Sequence, residues 1–294
     1  MPELPEVETV ASSLRHLLVG RTIVEVSVDW PRSVARPAIE EFATRIAGRT
    51  VVSVDRRGKY VVVELDQGYL LIHLKMSGRL WVVPGDEPLD KHTHVIFCLD
   101  DGQELRFHDT RKFGRVHLVA DPQEVTAALG PEPLADDFSL DDMRRLLAHR
   151  KGRLKSLLLN QQFLAGLGNI YADEALFAAR LHPLRRADSL SPDEQARLYE
   201  AIRTILKQAV AAQGTTLDDG GYTDAHGQAG AYQEQIAVYG RKGQPCLRCQ
   251  TPVGRIVVGA RSTYFCPHCQ VAPSPPCEGD GHRDREQQNC GIVA

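Results

Sequence analysis

Apolar residues at Val7, Val10, Ala11, Leu14, Leu17 and Leu18 recur at helical spacing, and Gly20 stands where a C-terminal cap belongs. From about residue 21 to 120 the period changes to two. Alternating runs occupy Thr22–Val28, Val51–Val54, Tyr60–Leu65, Tyr69–Leu74, Arg79–Val83, His94–Leu99, Glu104–His108 and Arg115–Val119. Asp66-Gln67-Gly68 and Asp100-Asp101-Gly102 supply turn signals between them. Many short strands behind one leading helix predict a β-sandwich.

The middle of the chain returns to a helical period. Ser139 with Asp142 resembles a capping box for a helix running to about Arg150, and a second helix is expected over Leu154–Asn160. A Gly166-Leu167-Gly168 turn hands over to Asn169, read as the N-cap of a helix over Ile170–Ala179. Ser191-Pro192-x-Glu194 opens a long helix that ends at Gly214. The Gly-, Asp- and Thr-rich stretch Leu217–Ala231 lacks an apolar period and is expected to be a mobile lid. The polar residues from 271 on are expected to be a disordered tail. The chain is therefore read as an α+β multidomain protein. Its expected parts are a sandwich with leading helix (residues 1–125), a linker (126–138), a helical domain (139–237), a cysteine-bearing hairpin (238–270) and a tail (271–294).

A chain of 294 residues can bury a substantial core. It holds no run of 18 apolar residues and no basic-then-apolar leader, so neither a membrane span nor secretion is expected. The net charge of −3 argues against a nucleic-acid partner until its distribution is read. Met143–Leu157 carries Arg144, Arg145, Arg150, Lys151, Arg153 and Lys155 and no acid. Val238–Cys277 carries Arg241, Lys242, Arg248, Arg255 and Arg261, again with no acid. The protein is polarised, with two basic stretches that suit a polyanion.

Four of the seven cysteines form one pattern: Cys246-x2-Cys249, sixteen residues, then Cys266-x2-Cys269. Two such knuckles turn four thiolates toward one point, the arrangement of a tetrahedral zinc site. With four protein ligands and no open position, one structural Zn²⁺ is expected rather than a reactive one. Cys98 lies in the apolar run Val95–Leu99 and is read as a core residue, whereas Cys277 and Cys290 fall in the tail. Between the knuckles, Gly259-Ala260-Arg261 places an arginine at a hairpin tip, able to enter a groove or grip a phosphate.

The opening Met1-Pro2-Glu3-Leu4-Pro5-Glu6 holds the most pointed chemistry. Pro5 suits a first helical turn, and Glu6 and Glu8 suit its positive end. Pro2 and Glu3 precede the helix and are not explained by it. Removal of Met1 would leave Pro2 as a secondary amine. A main-chain amine titrates near ~8 against ~10.4 for a lysine, so a usable fraction is nucleophilic at neutral pH. Attack on an aldehyde-level carbon would give an iminium ion, which draws electrons from neighbouring bonds.

The N-terminus Pro2–Thr9 resembles that of the formamidopyrimidine-DNA glycosylase family. So do Arg57-Gly58-Lys59-Tyr60, His73–Gly78, Asp109–Arg115, Gly166–Tyr171 and the Arg261 hairpin, in family order across about residues 1–270. The resemblance implies an N-terminal β-sandwich, a helix–two-turn–helix and a zinc finger. It implies removal of oxidised purines (8-oxoguanine and formamidopyrimidines) from double-stranded DNA, followed by β,δ-elimination at the abasic site. Pro2 is then the nucleophile, Glu3 the acid that opens the sugar, Glu6 a positioning group, Lys59 the helper in β-elimination and Arg261 the partner in δ-elimination. Extruding a base leaves a hole that Met76, Arg111 and Phe113 would fill, while His92, Arg111, Arg150, Lys155, Asn169 and Arg261 would grip phosphates. A monomer acting in the cytoplasm on nucleoid DNA is expected. Two alternatives stand beside this reading: an endonuclease VIII-type glycosylase for oxidised pyrimidines, and a non-catalytic zinc-dependent DNA-binding module, which leaves Pro2, Glu3 and Lys59 unexplained.

Overall fold

The computed structural model describes residues 1–217 and 222–272. The leading helix α1 (Leu4–Leu18) presents Val7, Val10, Ala11, Leu14 and Leu18 to a core shared with strands, and the chain leaves it through Gly20 at φ +84°. Nine strands follow: β1 (Thr22–Val28), β2 (Val34–Arg36), β3 (Arg49–Arg57), β4 (Tyr60–Leu65), β5 (Tyr69–His73), β6 (Gly78–Pro84), β7 (Thr93–Leu99), β8 (Gln103–Asp109) and β9 (Arg115–Val119). A short helix α2 (Ile39–Ile46) interrupts them after β2. The order is β2-β9-β5-β4-β3-β1-β7-β8-β6. Only Thr22↔Thr50 and Ile23↔Arg49 join β1 to β3, so the sheet turns a corner there. Its two halves pack as a sandwich, with Val54, Val63 and Ile72 from one half and Val26, Phe97 and Phe107 from the other in one core.

Alternation decides the faces. In β7, Val95, Phe97 and Leu99 point inward and Cys98 is left half-exposed, which corrects its reading as a core residue. Neither β2 nor α2 was expected. The latter buries only Phe42 and Ile46, too few apolar positions to register against the surrounding strand period.

After the four-residue helix α3 (Gln123–Thr126), the helical part holds α4 (Leu140–Leu147), α5 (Leu154–Leu159), α6 (Asn169–Ala178) and α7 (Pro192–Ala211). Capping boxes open α4 at Ser139/Asp142 and α7 at Ser191/Glu194. Leu4 of α1 lies in this second core, so the first helix bridges both. Every residue from Ile170 to Phe177 is buried, which makes α6 the axle of the helical part. The hairpin β10 (Gly254–Val258) and β11 (Arg261–Phe265) completes the described chain.

One expectation changes here. Residues 222–231 do not hang free: Tyr222 and Ala225 are buried in the sandwich core, and the Asp224 carboxylate accepts the N–H groups of His226 and Gln228. Residues 218–221 of the expected lid, and the tail from 273, lie outside the described residues. Among the described residues, no helix is long and apolar enough to cross a membrane.

Candidate active site and zinc hairpin

Glu3 is the N-cap residue of α1, with Pro5 in its first turn. Its carboxylate is buried and reaches the start of α6. There it accepts N–H groups from Gly168 (2.7 Å), Ile170 (2.9 Å) and Tyr171 (3.4 Å). The positive end of a second helix thus fixes one carboxylate in place. Gly166-Leu167-Gly168 exists for this approach. A Cβ on Gly168 would stand 2.4 Å from the Glu3 carboxyl carbon, and one on Gly166 (φ +92°) would stand 2.7 Å from Leu4 Cβ. Asn169 is correspondingly the first residue of α6 and Gly168 its N-cap, contrary to expectation; the side-chain cap is replaced by Glu3.

Glu6 closes the other side. Its carboxylate accepts the Glu3 N–H (2.8 Å), the Thr215 N–H (2.7 Å) and the Tyr171 hydroxyl. Burial, followed by the nearby Glu3 charge, raises its pKa to about 7. Gly214, at φ +80°, leaves room for the Glu6 carboxylate. Tyr171 and Thr215 were not anticipated. Tyr171 belongs to the Gly166–Tyr171 segment that carried a signal, whereas Thr215 had none.

Lys59 sits in the two-residue turn between β3 and β4, with Arg57 paired to Tyr60 and Gly58 at φ +58°. It is 6% exposed, not the solvated lysine its type suggests. Burial lowers its pKa, Glu3 and Glu6 oppose that, and Arg261 and Lys155 add to it, so five charged groups share one neighbourhood. The linker residue Glu132 holds this turn. It accepts from Arg56 (2.6 Å), Arg57 (2.7 Å) and the Gly58 N–H (2.5 Å), and Arg57 also donates to the Gly130 carbonyl (2.7 Å).

Met76 and Phe113 occupy adjacent loops tied by one carboxylate. Asp109 accepts the Ser77 hydroxyl, the Arg111 N–H (3.1 Å) and the Gly114 N–H (2.6 Å). Lys112 takes a left-handed φ of +58° at the tip, leaving Arg111, Lys112 and Phe113 outward. Phe113 is 49% exposed and lies 5.0 Å beneath the Arg111 guanidinium. Met76 is half-buried. His92 is also half-buried, and its carbonyl accepts the Asp109 N–H (2.9 Å), which joins it to the same loop. Arg150 is exposed after α4, whereas Arg144 and Arg145 pair with Asp141 and Asp142. The basic stretch around α4 is therefore smaller than its composition implied.

Lys155 is displaced from its expected surface role. Its side chain is fully buried, pairs with Asp173 at 2.7 Å and donates to the Asn169 carbonyl at 2.9 Å. Its ammonium is held within the fold and does not face outward to grip a phosphate. Asn169 itself donates from Nδ2 to the Ser262 carbonyl (2.9 Å), joining α6 to the hairpin. Glu174, also unanticipated, accepts the N–H groups of Ala237, Val238 and Tyr239, each at 2.9 Å.

The sulfurs of Cys246, Cys249, Cys266 and Cys269 lie within 4.8 Å of one another. Cys249 is 3.5 Å from both Cys266 and Cys269, and Cys246 is 4.0 Å from Cys269. Zinc–sulfur bonds of ~2.3 Å in a tetrahedron require sulfurs ~3.8 Å apart, so the donor set fits one structural Zn²⁺. The Arg248 and Cys269 N–H groups point at Cys246 and Cys266 sulfurs, each at 3.4 Å, as thiolates would require. Gly259 and Ala260, both at positive φ, turn the hairpin and leave Arg261 exposed beside them.

Three family models match this chain. "Formamidopyrimidine-DNA glycosylase N-terminal domain" covers residues 1–116, "Formamidopyrimidine-DNA glycosylase H2TH domain" residues 129–220, and "Zinc finger found in FPG and IleRS" residues 243–271. The protein named formamidopyrimidine-DNA glycosylase from Herpetosiphon aurantiacus is 53% identical over 276 residues, spanning 92% of this chain and all of the relative. That from Chloroflexus aggregans is 50% identical over 275 residues, spanning 92% of this chain and 99% of its own length. Among solved structures, the MutM (FPG) protein of Thermus thermophilus is 43% identical with a TM-score of 0.84, covering 93% of this chain and 100% of that one. A Lactococcus lactis FPG mutant in complex with a Fapy-dG containing DNA is 34% identical with a TM-score of 0.86, covering 92% and 100%. A fold, a buried Glu3 site and a four-thiolate hairpin in this order, matched over nearly the whole chain, place it in the formamidopyrimidine-DNA glycosylase family.

Proposed function

We propose that this chain excises oxidised purines from double-stranded DNA and then cuts the strand, with Pro2 as the nucleophile. Family membership makes it a base-excision-repair DNA glycosylase with abasic-site lyase activity. Relatives whose complexes contain Fapy-dG or carbocyclic 8-oxo-G DNA support the purine preference. The observation that carries the residue assignment is the Glu3 carboxylate, buried beside Pro2 and fixed by three amides at the start of α6 (Gly168, Ile170 and Tyr171), with Lys59 buried in the same charged neighbourhood.

With Met1 removed, the Pro2 amine attacks C1′ of the damaged nucleoside. The N-glycosidic electron pair leaves with the base, and Glu3 assists by protonating the ring oxygen as the sugar opens. The resulting iminium acidifies C2′–H. Loss of that proton expels the 3′ phosphate, and loss of the C4′ proton then expels the 5′ phosphate. No metal is needed for either step. Lys59, its basicity lowered by burial, serves the first elimination, and Arg261 faces the departing phosphate in the second. Glu6 positions the α1 start through the Glu3 N–H and the Tyr171 hydroxyl.

Extrusion of the nucleotide leaves a gap that Met76, Arg111 and Phe113 fill. Their two loops are locked together by Ser77 and Asp109, so they enter as one wedge. His92, Arg111, Arg150, Asn169 and Arg261 contact phosphates, while Lys155 anchors the helices behind them. The zinc holds the Arg261 hairpin in shape. The enzyme acts as a monomer on nucleoid DNA in the cytoplasm.

Excision from an 8-oxoguanine:cytosine duplex and from a thymine-glycol duplex, compared at equal enzyme, tests the substrate. Preference for the oxidised purine is expected. A clear preference for thymine glycol would move the chain to the endonuclease VIII-type reading.

A further inference from the structure

The Arg261 hairpin is a two-stranded ribbon, too small to hold its own position. One edge of β11 pairs with β10. On the other edge the Ser262 carbonyl accepts from Asn169 Nδ2 (2.9 Å), and the Tyr264 N–H donates to Asp173 Oδ2 (2.9 Å). Groups two residues apart lie on one strand edge, so two side chains of α6 take the place of a third strand. Asp173 is fully enclosed, and its other oxygen is 2.7 Å from the Lys155 ammonium. A buried carboxylate without that cation would be costly, and Lys155 is itself steadied by the Asn169 carbonyl (2.9 Å).

The same helix holds Glu3 at its first turn, one turn before Asp173. Arg261 lies three residues before Tyr264 on β11, ~10 Å along the strand. The Asp173–Tyr264 bond therefore measures out Arg261 from a helix whose other end measures out Glu3.

We propose that Asp173 is a positioning residue that sets how far Arg261 reaches over the Glu3 and Lys59 site, and so governs the partition between β- and β,δ-elimination. This rests on the Pro2 reading above. The second elimination breaks C4′–H and C5′–O, with the electron pair leaving on the 5′ phosphate beside Arg261. The first breaks C2′–H and C3′–O and does not require the hairpin to sit closely.

The test is product analysis on an 8-oxoguanine duplex with Asp173→Asn, and with the doubly neutral Lys155→Met/Asp173→Leu, which removes the buried charges together and keeps the core filled. Zinc content reports whether each variant keeps its hairpin. The expected result is a shift of about tenfold from 3′-phosphate product toward the 3′-unsaturated aldehyde, ~1.4 kcal/mol of differential barrier. Base release and borohydride trapping by Asp173→Asn stay within about twofold of wild type. An unchanged product ratio in zinc-loaded variants, or a fall in base release equal to the fall in δ product, overturns the proposal. Absence of trapping in the wild type overturns the Pro2 reading instead.

Discussion

Replacing Gly168 by alanine puts a methyl group where the Glu3 side chain already lies. The added Cβ would stand 2.4 Å from the Glu3 carboxyl carbon, 2.5 Å from Oε1 and 2.7 Å from Cγ. The backbone at Gly168 has φ −134°, which alanine adopts freely, so the clash is with the side chain alone. Relief requires Glu3 to leave the α6 amides, giving up bonds of 2.7 and 2.9 Å. Overpacking of this kind costs ~1–3 kcal/mol, which lowers Tm by roughly 2–5 °C for a chain of this size. Catalysis suffers more than stability, because ~1 Å of misplacement costs about 10²-fold in rate. Single-turnover base release from an 8-oxoguanine duplex at saturating enzyme measures this. Affinity for an uncleavable abasic-analogue duplex should change by less than about threefold, since the methyl points at Glu3 and not outward. Base release within about threefold of wild type would refute the assignment of Glu3 and of the glycine that admits it.

Stability should fall as pH rises, and Glu6 gives the sign. Its pKa is raised to about 7 from 4.5, so its contribution is complete below about 4.5 and is lost as pH passes through about 7. Tm at pH 8 should lie roughly 5 °C below that at pH 5, and Glu6→Gln should flatten the slope; an equal slope in the variant would remove Glu6 as its source. Glu132→Ala takes the acceptor from Arg56, Arg57 and the Gly58 N–H, and should slow strand scission about tenfold more than base release through a loosened Lys59 turn. Parallel loss of both steps would contradict that route. Cys246→Ser should release zinc and weaken DNA binding by about tenfold or more as the Arg261 hairpin loses its shape; zinc loss with unchanged affinity would show that the hairpin does not contact DNA.

The sequence exposed what local periodicity and spacing encode. The strand alternation from Thr22 to Val119, the capping boxes at Ser139 and Ser191 and the four-cysteine pattern all appear in the structure. Long-range geometry was not legible. Lys155 reads as one of a run of surface cations, yet Asp173, eighteen positions later, draws it into the interior. Asp173 and Glu174 read as ordinary polar positions, because nothing local reveals that α6 is enclosed on every side. Glu132 belongs to a linker, and only the fold brings it under the Lys59 turn. Asn169 has the residue type of an N-cap, but Glu3, distant in sequence, takes over the amides such a cap would satisfy.

In the proposed mechanism the mature N-terminal proline carries the covalent chemistry. Borohydride reduction during reaction with an 8-oxoguanine duplex, followed by peptide mapping of the cross-linked protein, tests it most directly. One stable adduct is expected, on the peptide that begins with Pro2. An adduct mapped to Lys59, or none from protein shown to lack Met1, would contradict it.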